Sequence, residues 1–395
     1  MQSSFIENLH EIDERPHRFS RIFDADIYDS KEDLSRLFES DSDPEQQNKT
    51  LSVGTNNNVI VNKGKDINIY TLNSNINGTK TNSLLYRGCI STPNDVQKIL
   101  PHDNSILIID KINPQAVSAI DLQTGKISQK WDLNLDVKDC FSGTKNIGNE
   151  TKYDPTIIGL NSNTIFKLDT RMKDSVVDKN TYKTDTKFKT GMATKTGDMA
   201  ICSENGELRL YSFSQGIPKR AKNLLKGHND KLVGMDITGN KKYAICTYKT
   251  YILFYQVQSA YTQTLRKEDK DRVPKKLCLK PEHVPYINEE ISFTTAKFST
   301  DENEEFIVAS TGHFVISWNL CDVLSDNLYN YSIKKCNDKV VADEFGFNCS
   351  DKIVVALKDD VKMVDKNKLK NVDNVVKKRC EESSVHSSYV YDNEQ

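Results

Sequence analysis

A unit of two β-strand patterns around a short polar turn recurs seven times along the 395-residue chain. In the clearest copy, the β-branched and aromatic runs 243–248 and 251–257 flank Lys249-Thr250, and in the next copy Thr311-Gly312 separates runs 306–310 and 313–318. The other copies pair 58–61 with 67–72, 105–110 with 116–122, 156–160 with 164–169, 199–203 with 207–213, and 352–357 with 361–364. Such repetition predicts one β-rich repeat architecture.

The spacing of these hairpins is roughly 45 residues, with one wider gap of about 60, and a period of this size is typical of propeller blades. Weaker apolar segments at 126–131, 232–237 and 293–298 can supply the remaining strands of four-stranded blades. The sequence therefore predicts an all-β, seven-bladed β-propeller over residues 51–365. If seven blades are correct, residues 53–72 must share the closing blade with residues 339–364.

The two ends of the chain have a different texture. Residues 1–50 form an acidic, largely disordered arm in this interpretation, with one short amphipathic helix in SKEDLSRLFES. That helix either docks on its own domain, frays, or serves as a linear motif for a partner. Residues 366–395 are a basic and polar tail, for which we expect either a short helix over 371–378 or disorder.

Charge and cysteine usage exclude several classes. The chain has 54 basic and 56 acidic residues, a net charge of -2, so we expect no nucleic-acid partner. Its longest apolar runs, such as residues 106–109, are far too short to span a bilayer, so we expect no membrane insertion. Its nine cysteines contain no C-x-x-C pair, so neither a disulfide framework nor a metal site is predicted. Cys202 and Cys246 occupy the same place in consecutive units and are expected to be core thiols. The predicted location is cytoplasmic.

No motif for catalysis is found: there is no P-loop, no Rossmann glycine pattern after a strand, no H-E-x-x-H and no nucleophile elbow. We therefore expect no enzymatic activity and no cofactor. Propellers bind their partners on the faces where loops converge. The longest insertions, 143–153, 174–190 and 264–285, are therefore candidate binding loops. The candidate partner-binding residues are Arg171, Lys249, His283, Tyr286 and His313.

Each candidate has a structural alternative. Arg171 could hold a carboxylate in a bidentate way or pair within its blade, and the pairing is favoured. His283 in KPEHVPY and His313 in STGHF are more often loop or core histidines than ligands. The first interpretation of the charged run RKEDKDRVPKK is a solvated loop, and the second is a clamp for an acidic partner peptide.

The segment LKGHNDKLVGMDITGNKKYAICTYKTYILFYQV resembles a WD repeat, although its closing Trp-Asp is missing. The resemblance implies a WD40-like propeller in which His228 is structural and bonds inside its blade. The usual aspartate partner in the hairpin turn is replaced by Lys249-Thr250.

Longer stretches resemble one family. These are KLCLKPEHVPYINEEISFTTAKFSTDENEEFIVASTGHFVISWNL, IIGLNSNTIFKLDTRM and MAICSENGELRLYSF. They are similar, in order, to the C-terminal propeller of the vacuolar import and degradation protein 27 family, whose plant relatives are the defective embryo and meristems proteins. The resemblance covers residues 53–364 and implies a non-enzymatic propeller connected with protein turnover or trafficking. It implies a cytosolic location first and a nuclear location as the second expectation. Larger members have an N-terminal half with a pleckstrin-like domain, which the short acidic arm does not match.

Three functional hypotheses remain at this point. The first is an interaction scaffold that holds protein partners on a loop face. The second is a ligand-binding or catalytic propeller that uses its central channel, which requires converging polar groups. The third is a nucleus-associated interaction protein.

Overall fold

The computed structural model describes residues 47–73, 83–148, 154–172, 176–212, 216–266, 273–347 and 351–377. The chain divides into two units, Met1–Ser42 and Asp43–Gln395, and all described residues belong to the second. The helix predicted in the acidic arm and the tail beyond residue 377 lie outside the described residues.

Within these ranges 28 strands form seven antiparallel sheets, so the seven-bladed propeller is confirmed. Blade 1 holds β1 (Thr50–Val53), β2 (Asn58–Asn62), β3 (Asp66–Asn73) and β4 (Ser83–Ser91). Blade 2 holds β5 (Val96–His102), β6 (Ser105–Asp110), β7 (Ala116–Asp121) and β8 (Ile127–Asp132). Blade 3 holds β9 (Asp139–Ser142), β10 (Thr156–Leu160), β11 (Thr164–Asp169) and β12 (Val176–Thr181).

Blade 4 holds β13 (Phe188–Ala193), β14 (Met199–Ser203), β15 (Leu208–Tyr211) and β16 (Asn223–Leu225). Blade 5 holds β17 (Leu232–Ile237), β18 (Tyr243–Tyr248), β19 (Ile252–Gln256) and β20 (Lys275–Leu277). Blade 6 holds β21 (Lys297–Phe298), β22 (Phe306–Thr311), β23 (Phe314–Asn319) and β24 (Tyr331–Lys335), followed by β28 (Lys370–Asn371) on its outer edge. Blade 7 holds β25 (Val340–Phe345), β26 (Lys352–Leu357) and β27 (Val361–Asp365).

Short helices lie within blade 5, between blades 5 and 6, and within blade 6. They are α1 (Gln258–Thr262), α2 (Val284–Ile287) and α3 (Leu320–Leu324), with 3-10 turns at Pro281–His283 and Lys366–Lys368. Residues 372–377 are also helical, which agrees with one of the two alternatives predicted for the tail.

Each predicted hairpin is the second and third strand of one blade. These middle strands are buried on both faces, because a neighbouring blade packs against each side, and strands of that kind read as continuous β-branched runs. The core accordingly consists of seven apolar clusters, one between each pair of adjacent blades. The cluster between blades 7 and 1 has the fewest fully buried members, Val59, Val61, Val354 and Val361.

One backbone hydrogen bond repeats at all seven junctions between adjacent blades. The chain entering an inner strand donates an N–H group to a carbonyl in the turn between the second and third strands of the preceding blade. The pairs are Val96 to Gly64 (2.9 Å), Val137 to Pro114 (2.9 Å), Phe188 to Ser162 (2.8 Å), Leu232 to Glu204 (3.1 Å), Phe293 to Lys249 (2.8 Å), Val340 to Gly312 (2.8 Å) and Asn48 to Lys358 (2.8 Å).

The last of these bonds closes the ring, and the expectation of a shared closing blade is wrong. Residues 53–72 belong to blade 1 and residues 339–364 belong to blade 7. Blade 1 completes itself with β4, an outer strand that the hairpin count missed. The segment after β27 adds β28 to the edge of β24 in blade 6 instead of completing blade 7.

Two further expectations concern side chains. Cys202 and Cys246 are fully buried between blades 4 and 5, with their Sγ atoms 3.2 Å apart, as core thiols should be. His228 makes no hydrogen bond inside its blade with any residue that the structure describes. It is exposed, with its ring centroid 5.7 Å from that of Tyr251.

Candidate binding face at the channel mouth

The seven inner strands, β1, β5, β9, β13, β17, β21 and β25, surround a central channel with a volume of about 1620 Å³. Because blades repeat around one axis, all inner strands run in the same direction along this channel. We call the end where they begin the upper face and the other end the lower face. The upper face also carries the turns between the second and third strands of each blade.

A segment from blade 3 follows the lower rim. Residues 143–148, here called the lower strap, leave β9 and pass blade 4, where the N–H of Lys145 donates to the carbonyl of Thr194 at 3.2 Å. The strap reaches blade 6, where the N–H of Gly148 donates to the carbonyl of Thr300 at 3.0 Å. Part of the insertion predicted for partner binding is therefore engaged with its own ring.

Packing fixes the strap beside blade 5. The side chain of Ile147 lies directly against Gly239, where an added Cβ would be 1.8 Å from Ile147 Cδ1. A larger residue at position 239 would have to displace the Ile147 side chain, so the glycine allows this close packing.

The strap also places one ammonium between two buried carboxylates. Lys145 Nζ lies 3.0 Å from Asp236 Oδ1 and 3.3 Å from Glu304 Oε1, and it donates to the carbonyl of Ile237 at 2.5 Å. Burial alone would lower the pKa of Lys145, but the two carboxylates raise it. Burial raises the pKa of Glu304 to about 7, against the attraction of Lys145, and repulsion from Asp236 adds to the rise. Two carboxylates thus share one cation.

The two ends of the channel differ in charge. Among the described lining residues, the upper half contains six lysines, contributed by blades 1, 2, 3, 4 and 7, and one carboxylate, Asp139. The lysines are Lys49, Lys98, Lys138, Lys189, Lys339 and Lys358. The deeper half reverses this balance, with two lysines, Lys145 and Lys297, and five acids, Asp103, Asp154, Asp236, Asp343 and Glu344.

Three of the upper lysines have carboxylate partners. Lys49 pairs with Asp95 at 3.0 Å, Lys98 with Asp139 at 2.9 Å, and Lys138 with Glu204 at 2.9 Å. Asp139 also accepts a hydrogen bond from the hydroxyl of Thr190 at 2.6 Å. The only acid of the upper half is therefore already engaged, as far as the described residues go.

The other three upper lysines make no ion pair with any described residue. Lys189 Nζ donates to the carbonyl of Leu232. Burial lowers the pKa of Lys189, and the nearby charge of Lys231 lowers it further. Lys358 lies at the junction between blades 7 and 1, and Lys339 lies just before β25, where its carbonyl accepts the N–H of Lys358 at 3.2 Å. These three ammonium groups can accept an anionic partner without displacing an existing one.

A repeated β-bulge gives the mouth its lining. In β5, β13, β17 and β25 the register shifts within the first three residues, which leaves one residue out of each ladder. These residues are Gln97, Lys189, Val233 and Val341, and all four line the channel. A bulge aims side chains away from the regular pleat, so the fold presents one such residue at the mouth from each of four blades.

Deeper in the channel two acids are held by the ring itself. Asp343 accepts a hydrogen bond from the Thr294 hydroxyl at 2.5 Å, and burial raises its pKa to about 6. Glu344 accepts the backbone N–H of Val53 at 3.0 Å, and burial raises its pKa as well. These acids bridge neighbouring inner strands and so help to hold the ring together.

Comparison with known proteins identifies this architecture. The VID27 C-terminal WD40-like domain matches residues 46–380 of the chain. The chain belongs to the VID27 family. It is 32% identical over 293 residues to vacuolar import and degradation protein 27 of Schizosaccharomyces pombe, which covers 69% of this chain and 36% of the relative. The Saccharomyces cerevisiae protein of the same name is 29% identical over 290 residues, covering 66% of this chain and 36% of the relative. The chain thus spans about a third of the length of these relatives.

Of the candidate residues, Lys249 and His313 lie on the upper face of this VID27-family propeller. Lys249 is in the β18–β19 turn and pairs with Glu290 at 2.5 Å. His313 is in the β22–β23 turn, with Nδ1 2.5 Å from Glu289 Oε1. Both partners belong to the connection between blades 5 and 6, so these side chains anchor that connection to two turns.

Tyr286 and His283 belong to the same connection but are less accessible. Tyr286 packs its ring 5.6 Å from that of Phe314. His283 is buried, with Nδ1 2.7 Å from the Tyr331 hydroxyl and Nε2 3.0 Å from Asp373 Oδ1. His283 therefore joins the connection to blade 6 and to helix 372–377.

Arg171 lies apart from the other candidates, on the lower face. Its guanidinium makes two hydrogen bonds to Asp169, at 2.6 Å and 2.9 Å, which is the pairing favoured from the sequence. Arg171 holds the pKa of Asp169 at about 2. The structure thus gathers four candidates near blades 5 and 6 and separates the fifth.

Within the described residues no helix is long and apolar enough to cross a membrane. The same part of the chain holds no cluster of three or more metal-binding side chains.

Proposed function

We propose that this VID27-family propeller is a non-enzymatic platform that holds a protein partner on its upper face. The observation that carries the proposal is the asymmetry of the two faces. The lower rim is occupied by the chain's own strap, whereas the upper mouth presents lysines and bulged residues from several blades. Loop faces that surround a propeller channel are suited to partner binding.

The names of the two relatives indicate the cellular process in which we propose that this chain acts. Both are called vacuolar import and degradation protein 27, and we extend a role in vacuolar import or protein degradation to this chain as part of the proposal. A cytoplasmic location fits such a role.

The composition of the channel supports a binding role over a catalytic one. Among the described lining residues, the histidine is His102, which is buried at the lower end with Nε2 3.2 Å from the Thr170 hydroxyl. The cysteine is Cys140, and burial raises the pKa of its thiol to about 12. Neither offers an activated nucleophile beside a base.

The test blocks one face at a time. Val233 lies at the upper mouth and is 36% exposed, and Met172 lies on the lower face and is 48% exposed. Affinity capture from cell extract, with quantitative mass spectrometry, compares the intact chain with Val233→Trp and with the matched control Met172→Trp. We expect Val233→Trp to lose specific partners and Met172→Trp to retain them.

Two results would contradict the proposal. One is a Val233→Trp variant that captures the same proteins as the unmodified chain. The other is a capture no richer in specific proteins than that of an unrelated propeller.

A further inference from the structure

We infer that the upper channel mouth binds an extended acidic peptide segment of a partner protein, whose carboxylates pair with lysines from several blades. This inference rests on the proposed function and adds the chemistry of the partner.

Charge gives the first reason. Six lysines and one carboxylate line the upper half of the channel in the described structure, and that carboxylate is already bound by Lys98 and Thr190. Lys189, Lys339 and Lys358 make no ion pair with a described residue. An ammonium that is partly withdrawn from water, as Lys189 is, gains most from a charge-assisted hydrogen bond to an incoming carboxylate.

The distribution of the lysines gives the second reason. The three lysines without carboxylate partners come from blades 4 and 7, so a ligand that meets all of them spans the mouth. Between them the lining offers polar side chains, including Thr50 and Gln97, which can pair with the amides of an extended chain. A peptide supplies both features, carboxylates at intervals and a hydrogen-bonding backbone.

The deeper half of the channel limits how far such a peptide enters. Five carboxylates lie below the mouth, and they repel acidic side chains. The peptide is therefore expected to lie across the mouth.

The lining disfavours a nucleic acid. Single-stranded nucleic acids are held by aromatic side chains on which bases stack. Four phenylalanines line the channel. Phe141, Phe293 and Phe298 are buried, at 3% exposure or less, and the half-buried Phe347 follows β25 at the lower end, away from the mouth.

Binding can be measured by fluorescence polarisation with the full chain. The probe is a labelled peptide that alternates glutamate with serine and glycine, and its control replaces every glutamate by glutamine. The test variant is Lys189→Gln/Lys339→Gln/Lys358→Gln. The matched control variant is Lys126→Gln/Lys130→Gln/Lys179→Gln, whose exposed lysines lie at or beside the outer strands of blades 2 and 3.

We expect the glutamate peptide to bind the unmodified chain, more weakly as salt is raised, and the glutamine peptide to bind at least about tenfold more weakly. The mouth variant should lose about 10- to 100-fold in affinity, because each partly exposed ion pair contributes up to a factor of about five. The control variant should stay within about twofold.

Equal binding of the two peptides by the unmodified chain would overturn the inference, and this comparison needs no variant to fold. The inference would also be wrong if the mouth variant bound the glutamate peptide with an affinity within about twofold of that of the unmodified chain. Tighter binding of single-stranded RNA than of the glutamate peptide would contradict it as well. If Val233→Trp loses its partners while the acidic peptide fails to bind, the upper face is a binding face but its partner is not an acidic peptide. If Val233→Trp retains every partner, the face itself is wrong.

Discussion

Replacing Glu304 by glutamine should remove a pH dependence from the stability of the propeller. Glu304 is 1% exposed, lies 3.3 Å from Lys145 Nζ, and accepts the backbone N–H of Gly239 at 2.8 Å. Burial raises its pKa from 4.5 to about 7. Between these values the folded state holds a proton that the unfolded state releases, so the free energy of unfolding falls as the pH rises.

The magnitude follows from the shift. For a carboxyl group with a pKa of about 7 when folded and 4.5 when unfolded, the contribution to the unfolding free energy falls by about 2 kcal/mol between about pH 5.5 and about pH 8. Glutamine has no charge to lose, and its carbonyl can still accept from Gly239. The difference between the Glu304→Gln variant and the unmodified chain should therefore shift in favour of the variant by about 2 kcal/mol over this range.

The assay is urea unfolding followed by tryptophan fluorescence, because Trp131 and Trp318 are both buried. Glu305→Gln is the matched control, since Glu305 is the exposed neighbour. A difference between Glu304→Gln and the unmodified chain that stays constant from about pH 5.5 to about pH 8 would refute the reasoning, as would the same trend in the control.

Removing the cation tests the same cluster from the other side. Lys145→Met leaves Asp236 and Glu304 buried without a counter-charge and should cost about 3 to 5 kcal/mol at about pH 8. The cost should be smaller at about pH 5.5, where Glu304 takes up a proton. An equal loss at both pH values would contradict this account.

Two further predictions concern the junctions between blades. Asn48→Ala removes hydrogen bonds from its amide to the carbonyls of residues 357 and 360 and should lower the unfolding free energy by about 1 to 3 kcal/mol, measured by urea titration. Asn56→Ala loses only exposed hydrogen bonds and should cost less than about 1 kcal/mol. Equal costs would count against the importance of this junction. Alkylation of the native protein should modify exposed Cys321 and leave Cys202 and Cys246 unmodified. Both of these thiols are fully buried, and burial raises the pKa of Cys202. Early labelling of either buried thiol, detected by mass spectrometry, would contradict this packing.

The seven hairpins could be predicted because their strands are buried on both faces. Such strands carry runs of β-branched residues that stand out in any window, as β22 and β26 do. Inner and outer strands lack this signal. The inner strand β21 is two residues long, and the outer strand β4 contains Arg87 and Gly88. Because β4 carries no such signal, the sequence does not indicate that blade 1 is complete without residues of blade 7.

The lysine-lined mouth could not be predicted for a different reason. Its members are separated along the chain by tens to hundreds of residues, and in the sequence each resembles an ordinary solvated lysine. They converge only because inner strands from different blades begin at the same end of one channel. The sequence points to Lys249 and His313 because both stand in recognisable turns, and the structure shows each of them paired with a glutamate of the adjacent connection.

The number of strands in blade 7 has a consequence for the topology of the chain. A blade of four strands returns the chain to the face where it started, whereas β25, β26 and β27 are the three that the described residues supply, so the chain leaves β27 on the lower face. A circularly permuted chain that joins Asp365 to Asn48 must therefore cross the height of a blade, which takes about six extended residues. A linker that alternates apolar and polar residues would pair with the outer edge of β27 as a fourth strand of blade 7. The linker would then close the ring through its hydrogen bonds to β27.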